Sequence, residues 1–193
     1  MALTIQTLAA ALPGLSLSEP IPGLKGGKSI RIIPATVCQL GDETCPVRPN
    51  FQLGSFEESD RKNLDLVADD DLQQMGHDWD EWVIEACSQV TPPLFKKHHT
   101  PEELRTKYVP SVKHPEKYRP TFRTKVQTTG ARKVRLWDRE TRAPLTLEDI
   151  PDWQQCECQI RVVPKIWIQS NAFGTCWEAI DIMTAPPSQE CPF

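Results

Sequence analysis

The chain has 193 residues, with 22 Lys and Arg against 26 Asp and Glu and a formal net charge of −4. That balance excludes a uniformly basic, histone-like binder, and a composition 39% hydrophobic and 25% charged excludes a disordered chain. Eighteen prolines against nine glycines favour short elements and many turns over long helices.

Residues 1–28 are apolar and rich in Pro and Gly without periodicity, and read as a loosely packed N-terminal arm. The longest apolar run, residues 8–15, is broken by Pro13 and preceded by no Lys or Arg, so neither a membrane span nor a secretory leader is expected. Residues 29–37 are β-branched and strand-like, with Pro34 restricting them to an edge or a bulge. Two further short strands are predicted over 51–56 and 64–68. Trp79, Trp82, Val83, Ala86 and Val90 recur at helical spacing, which predicts an amphipathic helix over 78–89 with both tryptophans in the core. Asp78, Asp80 and Glu81 then fall in its first turn, where carboxylates suit the positive end of the dipole. Thr100-Pro101-Glu102-Glu103 combines an N-cap, a proline at the first helical position and a capping-box acid, predicting a short helix over 100–107. Pro110, Pro115 and Pro120 mark an irregular connector.

The last third reads as β. Residues 121–128 alternate, with Phe122, Thr124 and Val126 on one side and Arg123, Lys125 and Gln127 on the other. Thr129-Gly130-Ala131 reads as a hairpin connection into 133–139, where Val134 and Leu136 oppose Lys133, Arg135, Trp137 and Arg139. A strand over 155–169, bent at Pro164, turns Ile160, Val162, Ile166 and Ile168 inward and Arg161, Lys165 and Trp167 outward. A last strand over 173–184 carries Trp177; its facing stays open, because Glu178 shares a side with Ile180 and Ile182. The whole reads as one mainly β (α+β) domain over 29–185, between the arm and a tail over 186–193.

Charge is segregated along the chain. Residues 57–85 hold eleven acids and two bases, a net of −9, whereas residues 96–142 hold fourteen bases and five acids, a net of +9. Segregation this strong points to a block used for a partner, and the acidic block could lie over part of the basic one and compete for that partner. The seven cysteines are odd in number and irregular in spacing, and no Asn-x-Ser/Thr sequon accompanies them, which favours free thiols in a reducing compartment. Zinc-ligand spacing is missing too: six residues separate Cys38 from Cys45, and Cys156-Glu157-Cys158 is too tight. No nucleophile–base signature is legible, and Gly23, Gly26, Gly27 and Lys28 miss the phosphate-loop spacing. The pattern therefore calls for no metal, no cofactor and no catalytic residue.

Three strands place cations and a tryptophan on a single pleat face, and the apolar opposite face must pack the core. Such a surface suits a single-stranded nucleic acid, because cations neutralise phosphates and aromatic rings stack on unpaired bases without choosing among them. The bland alternative is a solubilised sheet face whose tryptophans cover arginine stems. Three such strands in succession favour nucleic acid. The expected contacts are Tyr118, Arg119, Arg123, Lys125, Arg132, Lys133, Arg135, Trp137, Arg139, Arg161, Lys165, Trp167 and Trp177.

The order of these elements resembles the single-stranded DNA-binding proteins of large nucleocytoplasmic DNA viruses. The resemblance runs from about Arg48 to Thr184, through Phe51-Gln52-Leu53-Gly54, the helix over 78–89, Leu94-Phe95-Lys96-Lys97 and the 100–107 helix with Tyr108-Val109-Pro110. It continues through the basic strand from Tyr118, then Ile166-Trp167-Ile168, Phe173-Gly174 and Trp177-Glu178-Ala179. What it implies is an OB-like antiparallel β-barrel with two short helices, and non-enzymatic binding of single-stranded DNA, or of RNA, in replication, recombination or repair. Replication proteins would be further partners, and the setting intracellular: cytoplasm, nucleus or a viral replication compartment. Pro34 and Pro164 interrupt its strands, and residues 1–28 have no counterpart in it. The final Glu190-Cys191-Pro192-Phe193 looks like the acidic Pro-Phe tip with which bacterial and phage single-strand binders recruit partners, which makes Pro192 and Phe193 candidate partner contacts. A reading from a different class is a viral structural or assembly protein whose basic face meets an acidic partner or packaged genome. A nuclease would need carboxylates beside that face, and Asp138, Glu140 and Asp181 are the ones at hand.

Overall fold

The computed structural model describes residues 2–23, 27–54 and 59–185. Its strands in chain order are β1 (Leu3–Thr4), β2 (Ser16–Leu17), β3 (Ile21–Pro22), β4 (Lys28–Ile30), β5 (Ile32–Ile33), β6 (Cys38–Leu40) and β7 (Arg61–Val67). They continue with β8 (Tyr108–Val109), β9 (Val112–Lys113), β10 (Thr121–Gln127), β11 (Arg135–Asp138), β12 (Pro144–Leu145), β13 (Cys158–Ile168) and β14 (Phe173–Thr184). Three α-helices accompany them: α1 (Ile5–Ala11), α2 (Asp70–Ser88) and α3 (Pro101–Arg105). The fold is the expected mainly β, OB-like α+β one. Among the described residues, no helix is long and apolar enough to cross a membrane.

The main sheet follows the order β1-β6-β13-β14-β10-β7. Its spine is the antiparallel pair β13–β14, built from two long runs of alternating apolar and polar residues. Pro164 sits where β13 pairs only with β14, between the stretches that meet β6 and β4, so its missing N–H breaks no ladder on the other edge. A bulge settles the facing of β14. Arg161 pairs with Asp181 but Val162 pairs with Ala179, so Ile180 is the extra residue. Trp177 and Ala179 before the bulge and Ile182 after it all point inward, while Glu178 and Asp181 both reach the outer face.

The hairpin predicted at Thr129-Gly130-Ala131 does not form. β10 and β11 both run parallel to β14, one after the other along the same edge. The intervening residues loop out and return, closed by the Val134 amide donating to the Gln127 carbonyl at 2.8 Å. Gly130 does take the positive φ, 76°, but it turns a loop rather than a two-strand reversal.

Helix α2 begins eight residues earlier than tryptophan spacing predicts. Asp69 is its N-cap, accepting from the Leu72 amide at 2.9 Å, and Asp70 and Asp71 occupy the first turn. Its apolar face packs on the inward side of the sheet, where Trp79 lies 4.9 Å from Trp177, which lies 5.1 Å from Phe122. Burying a ring such as Phe122 contributes about 1.5–3 kcal/mol. Helix α3 starts on the Thr100 capping box as predicted. The N-terminal residues are not a loose arm: β1 pairs with β6, and Leu8 and Leu12 are buried in the core. The strand predicted over 51–56 is an irregular stretch with Phe51 exposed, joined to β7 by a bridge between Gly54 and Asn63; residues 55–56 lie outside the described residues. Burial pushes the thiols of Cys38, Cys87 and Cys158 up to about 12, so they serve as small apolar side chains.

Candidate nucleic-acid interface

Cross-strand register decides which side chains share the outer face. One row runs Arg135, Asp181, Arg161 and Gln39 across β11, β14, β13 and β6. The next places Trp137 beside Met183 and Gln159. Further along β14, Lys125 and Val163 flank Glu178, and Trp167 lies opposite Gly174. The basic-aromatic face read from the alternation is therefore a continuous surface over five strands.

Two grooves open on it, each with one half-buried tryptophan and three cations. The first, about 340 Å³, is lined by Trp137 with Arg135, Arg142 and Arg161, and by Asp181. The second, about 260 Å³, is lined by Trp167 with Lys113, Arg123 and Lys125. Nine residues of β14 separate Met183, beside Trp137, from Gly174, beside Trp167. At strand rise that is roughly 25–30 Å, room for several nucleotides. Gly174 is what lets the Trp167 indole lie across β14: a Cβ there would stand 3.1 Å from Trp167 Cζ2 and 2.9 Å from the Val109 carbonyl oxygen.

The cations are not bare. Arg123 grips Asp65 with two hydrogen bonds of 2.6 and 2.8 Å. Asp181 receives Arg135 at 2.7 and 2.8 Å, Arg161 at 3.3 Å and the Trp137 indole N–H at 3.3 Å. Glu178 pairs with Lys165 and, at 3.7 Å, with Arg61. Six cations (Arg61, Arg123, Lys125, Arg135, Arg161 and Lys165) thus surround three carboxylates, leaving the face positive. Lys125 donates to the Asn63 side-chain oxygen; burial, then the Arg61 charge, holds its ammonium below the usual lysine range. An anion arriving there would relieve that crowding.

Trp177, expected among the stacking rings, is buried at 1% exposure, its indole N–H donating to Ser111 Oγ at 3.0 Å, and it cannot stack on a base. Tyr118 and Arg119 are exposed on the connector before β10, and Arg132 and Lys133 on the loop before β11; they line neither groove. Arg139 pairs with Glu157 at 3.5 Å beyond the end of β11. Pro192 and Phe193 lie outside the described residues. Sequence reasoning missed Lys113, Arg142 and Arg61, which no alternating run contains in the way it contains Arg123. Of the acidic block, expected over part of the basic face, Asp65 reaches it, while the acids of α2 belong to a helix packed on the sheet's other side.

Beneath the Trp167 groove lies a buried polar cluster. Asp80 accepts from Tyr108 Oη at 2.6 Å and from the Ser111 amide and hydroxyl at 2.8 and 2.6 Å, and burial raises its carboxyl above the usual range. The Trp79 indole N–H donates to Thr175 Oγ1 at 2.9 Å. These bonds tie the floor of the groove to α2.

No protein-family model and no curated protein matches the chain. Among solved structures, the single-stranded DNA-binding protein from bacteriophage Enc34 is similar at a TM-score of 0.51 and 11% sequence identity, over 91% of this chain and 96% of that one. A C-terminal truncation of the same phage protein gives the same score and identity over 88% and 96%. The likeness is one of fold: this chain shares the OB-like architecture of those phage proteins.

Proposed function

We propose that the protein is a non-enzymatic, sequence-tolerant binder of single-stranded DNA, of viral origin, acting in replication, recombination or repair. The strand crosses the outer face of the sheet, stacking bases on Trp137 and Trp167 and placing phosphates among Arg135, Arg161, Arg123 and Lys125. What supports this most is the pair of tryptophan grooves aligned along β14, each ringed by cations. A strand that meets ring and cation at both ends of a roughly 25–30 Å track gains stacking and counterion release together. The OB-like fold shared with a phage protein named for binding single-stranded DNA agrees with it.

Paired cations do not count against phosphate binding. The arginine and lysine side chains of these pairs stay 38–61% exposed while their carboxylates are largely covered, so a phosphate can join the cations from the solvent side. A titration with oligo-dT at low salt, followed by tryptophan emission, is expected to show quenching from the two half-buried rings that weakens as salt rises. Emission unchanged at low salt would instead favour an assembly protein whose basic face meets an acidic protein.

A further inference from the structure

A third groove, about 560 Å³, opens at the tip of the β13–β14 turn, and the sheet-face reading does not use it. It is lined by Leu94–Lys97, by Gln169–Asn171 and by Lys107 and Lys28. Its base is apolar: half-buried Phe95 packs edge-on against Phe173 at 6.1 Å. Lys107 Nζ stands 5.5 Å from the Phe95 ring centroid, and Lys28 Nζ is 3.5 Å from the Leu94 carbonyl oxygen. The groove is held in place by the Phe173 amide, which donates to the Lys107 carbonyl at 3.1 Å, and by the turn itself, closed from Gln169 to Ala172 at 2.8 Å.

Its charge state differs from that of the sheet face. Among the described residues, no carboxylate lies within 4.0 Å of Lys28, Lys96, Lys97 or Lys107. The nearby Glu103 is occupied by His99 at 3.0 Å and by the Thr100 amide at 3.2 Å. Counterion release needs cations whose neutralising partner is mobile salt, and a cation already matched to a fixed carboxylate offers less of it than an unmatched one. The groove begins one residue beyond Trp167 on β13, and Lys28 is the register partner of Ile168.

We propose that the DNA strand leaving Trp167 passes over the β13–β14 turn into this lysine groove, which supplies a major share of the salt-dependent phosphate binding. The proposal rests on the single-strand reading above. Phe95 and the side chains of Gln169 and Asn171 give the groove a ring and hydrogen-bonding groups for the nucleotide that follows.

The test is the slope of log affinity against log salt for an oligo-dT of about 16 nucleotides. The triple variant Lys96→Ala, Lys97→Ala, Lys107→Ala is expected to lower that slope by about 2, at roughly 0.7 for each phosphate of a single strand that is no longer neutralised. Arg123→Ala, whose charge is matched by Asp65, is expected to change it by less. Should the triple variant fail to fold, Lys96→Glu with Lys97→Glu alters only two exposed side chains and is expected to weaken binding at least as strongly. A wild-type slope in these variants overturns the groove while leaving sheet-face binding standing. Absence of oligo-dT binding by the wild-type protein at low salt takes both down, so the two failures are distinct.

Discussion

Asp181 carries more of the outer face than any other single side chain. It accepts from two arginines and from the Trp137 indole, so it fixes the ring while cancelling half the local positive charge. Asp181→Asn keeps an oxygen for the indole N–H and removes the charge that a passing phosphate would meet. Oligo-dT binding at low salt is expected to tighten about fivefold, equivalent to roughly 1 kcal/mol, as measured by emission titration of the variant beside the wild type. Weaker binding would mean that positioning Trp137 matters more than the charge. Asp181 also marks the limit of reading facings by eye. Strict alternation puts position 181 with Trp177 and Ala179, and only the bulge at Ile180 returns it to the outer face. Trp167 was legible because β13 alternates without interruption around it. Trp177 was not, because strict alternation puts Ile180 and Ile182 on the side of Glu178, so the side opposite Trp177 also looked apolar.

At the scale of elements, the acidic run Asp69–Asp70–Asp71 is a helix start. Asp69 caps α2 and its two successors face the dipole, which explains three adjacent acids without a partner. Asp69→Ala is expected to cost about 1 kcal/mol of stability, read as a lower melting temperature, with little change in DNA affinity, since α2 packs on the inward side. A clear rise in affinity would instead place this run over the binding face. Sequence spacing found the second half of α2 through Trp79, Trp82 and Val83; the first half carries the same buried stripe only on Leu72 and Met75, set among polar residues, and its start is marked by the Asp69 cap. The misread hairpin has a comparable cause. Gly130 and its neighbours specify a tight turn, but whether the chain then pairs with itself or with β14 is decided by where the apolar sides of β10 and β11 find a core.

For the molecule as a whole, a net charge of −4 hides two unlike surfaces. The acids of α2 belong to the helix that covers one side of the sheet, while the other side carries six cations around three carboxylates and two tryptophan grooves. The buried cluster of Asp80, Tyr108 and Ser111 joins the two, so the floor of the Trp167 groove is braced by the helix. Composition showed the segregation of charge, and alternation showed which strands bear the cations. Which of those cations are matched by carboxylates could be seen only in three dimensions, because Asp65 and Arg123 are 58 residues apart in sequence. The proposal stands most squarely on Trp137 and Trp167 as the rings that meet the bases. The decisive measurement is the affinity of Trp137→Ala with Trp167→Ala for oligo-dT, with near-ultraviolet circular dichroism and a thermal melt recording the fold. A loss of about thirtyfold or more in a folded variant is the expected result, since each stacked base contributes about 1–3 kcal/mol; wild-type affinity in a folded variant would contradict it.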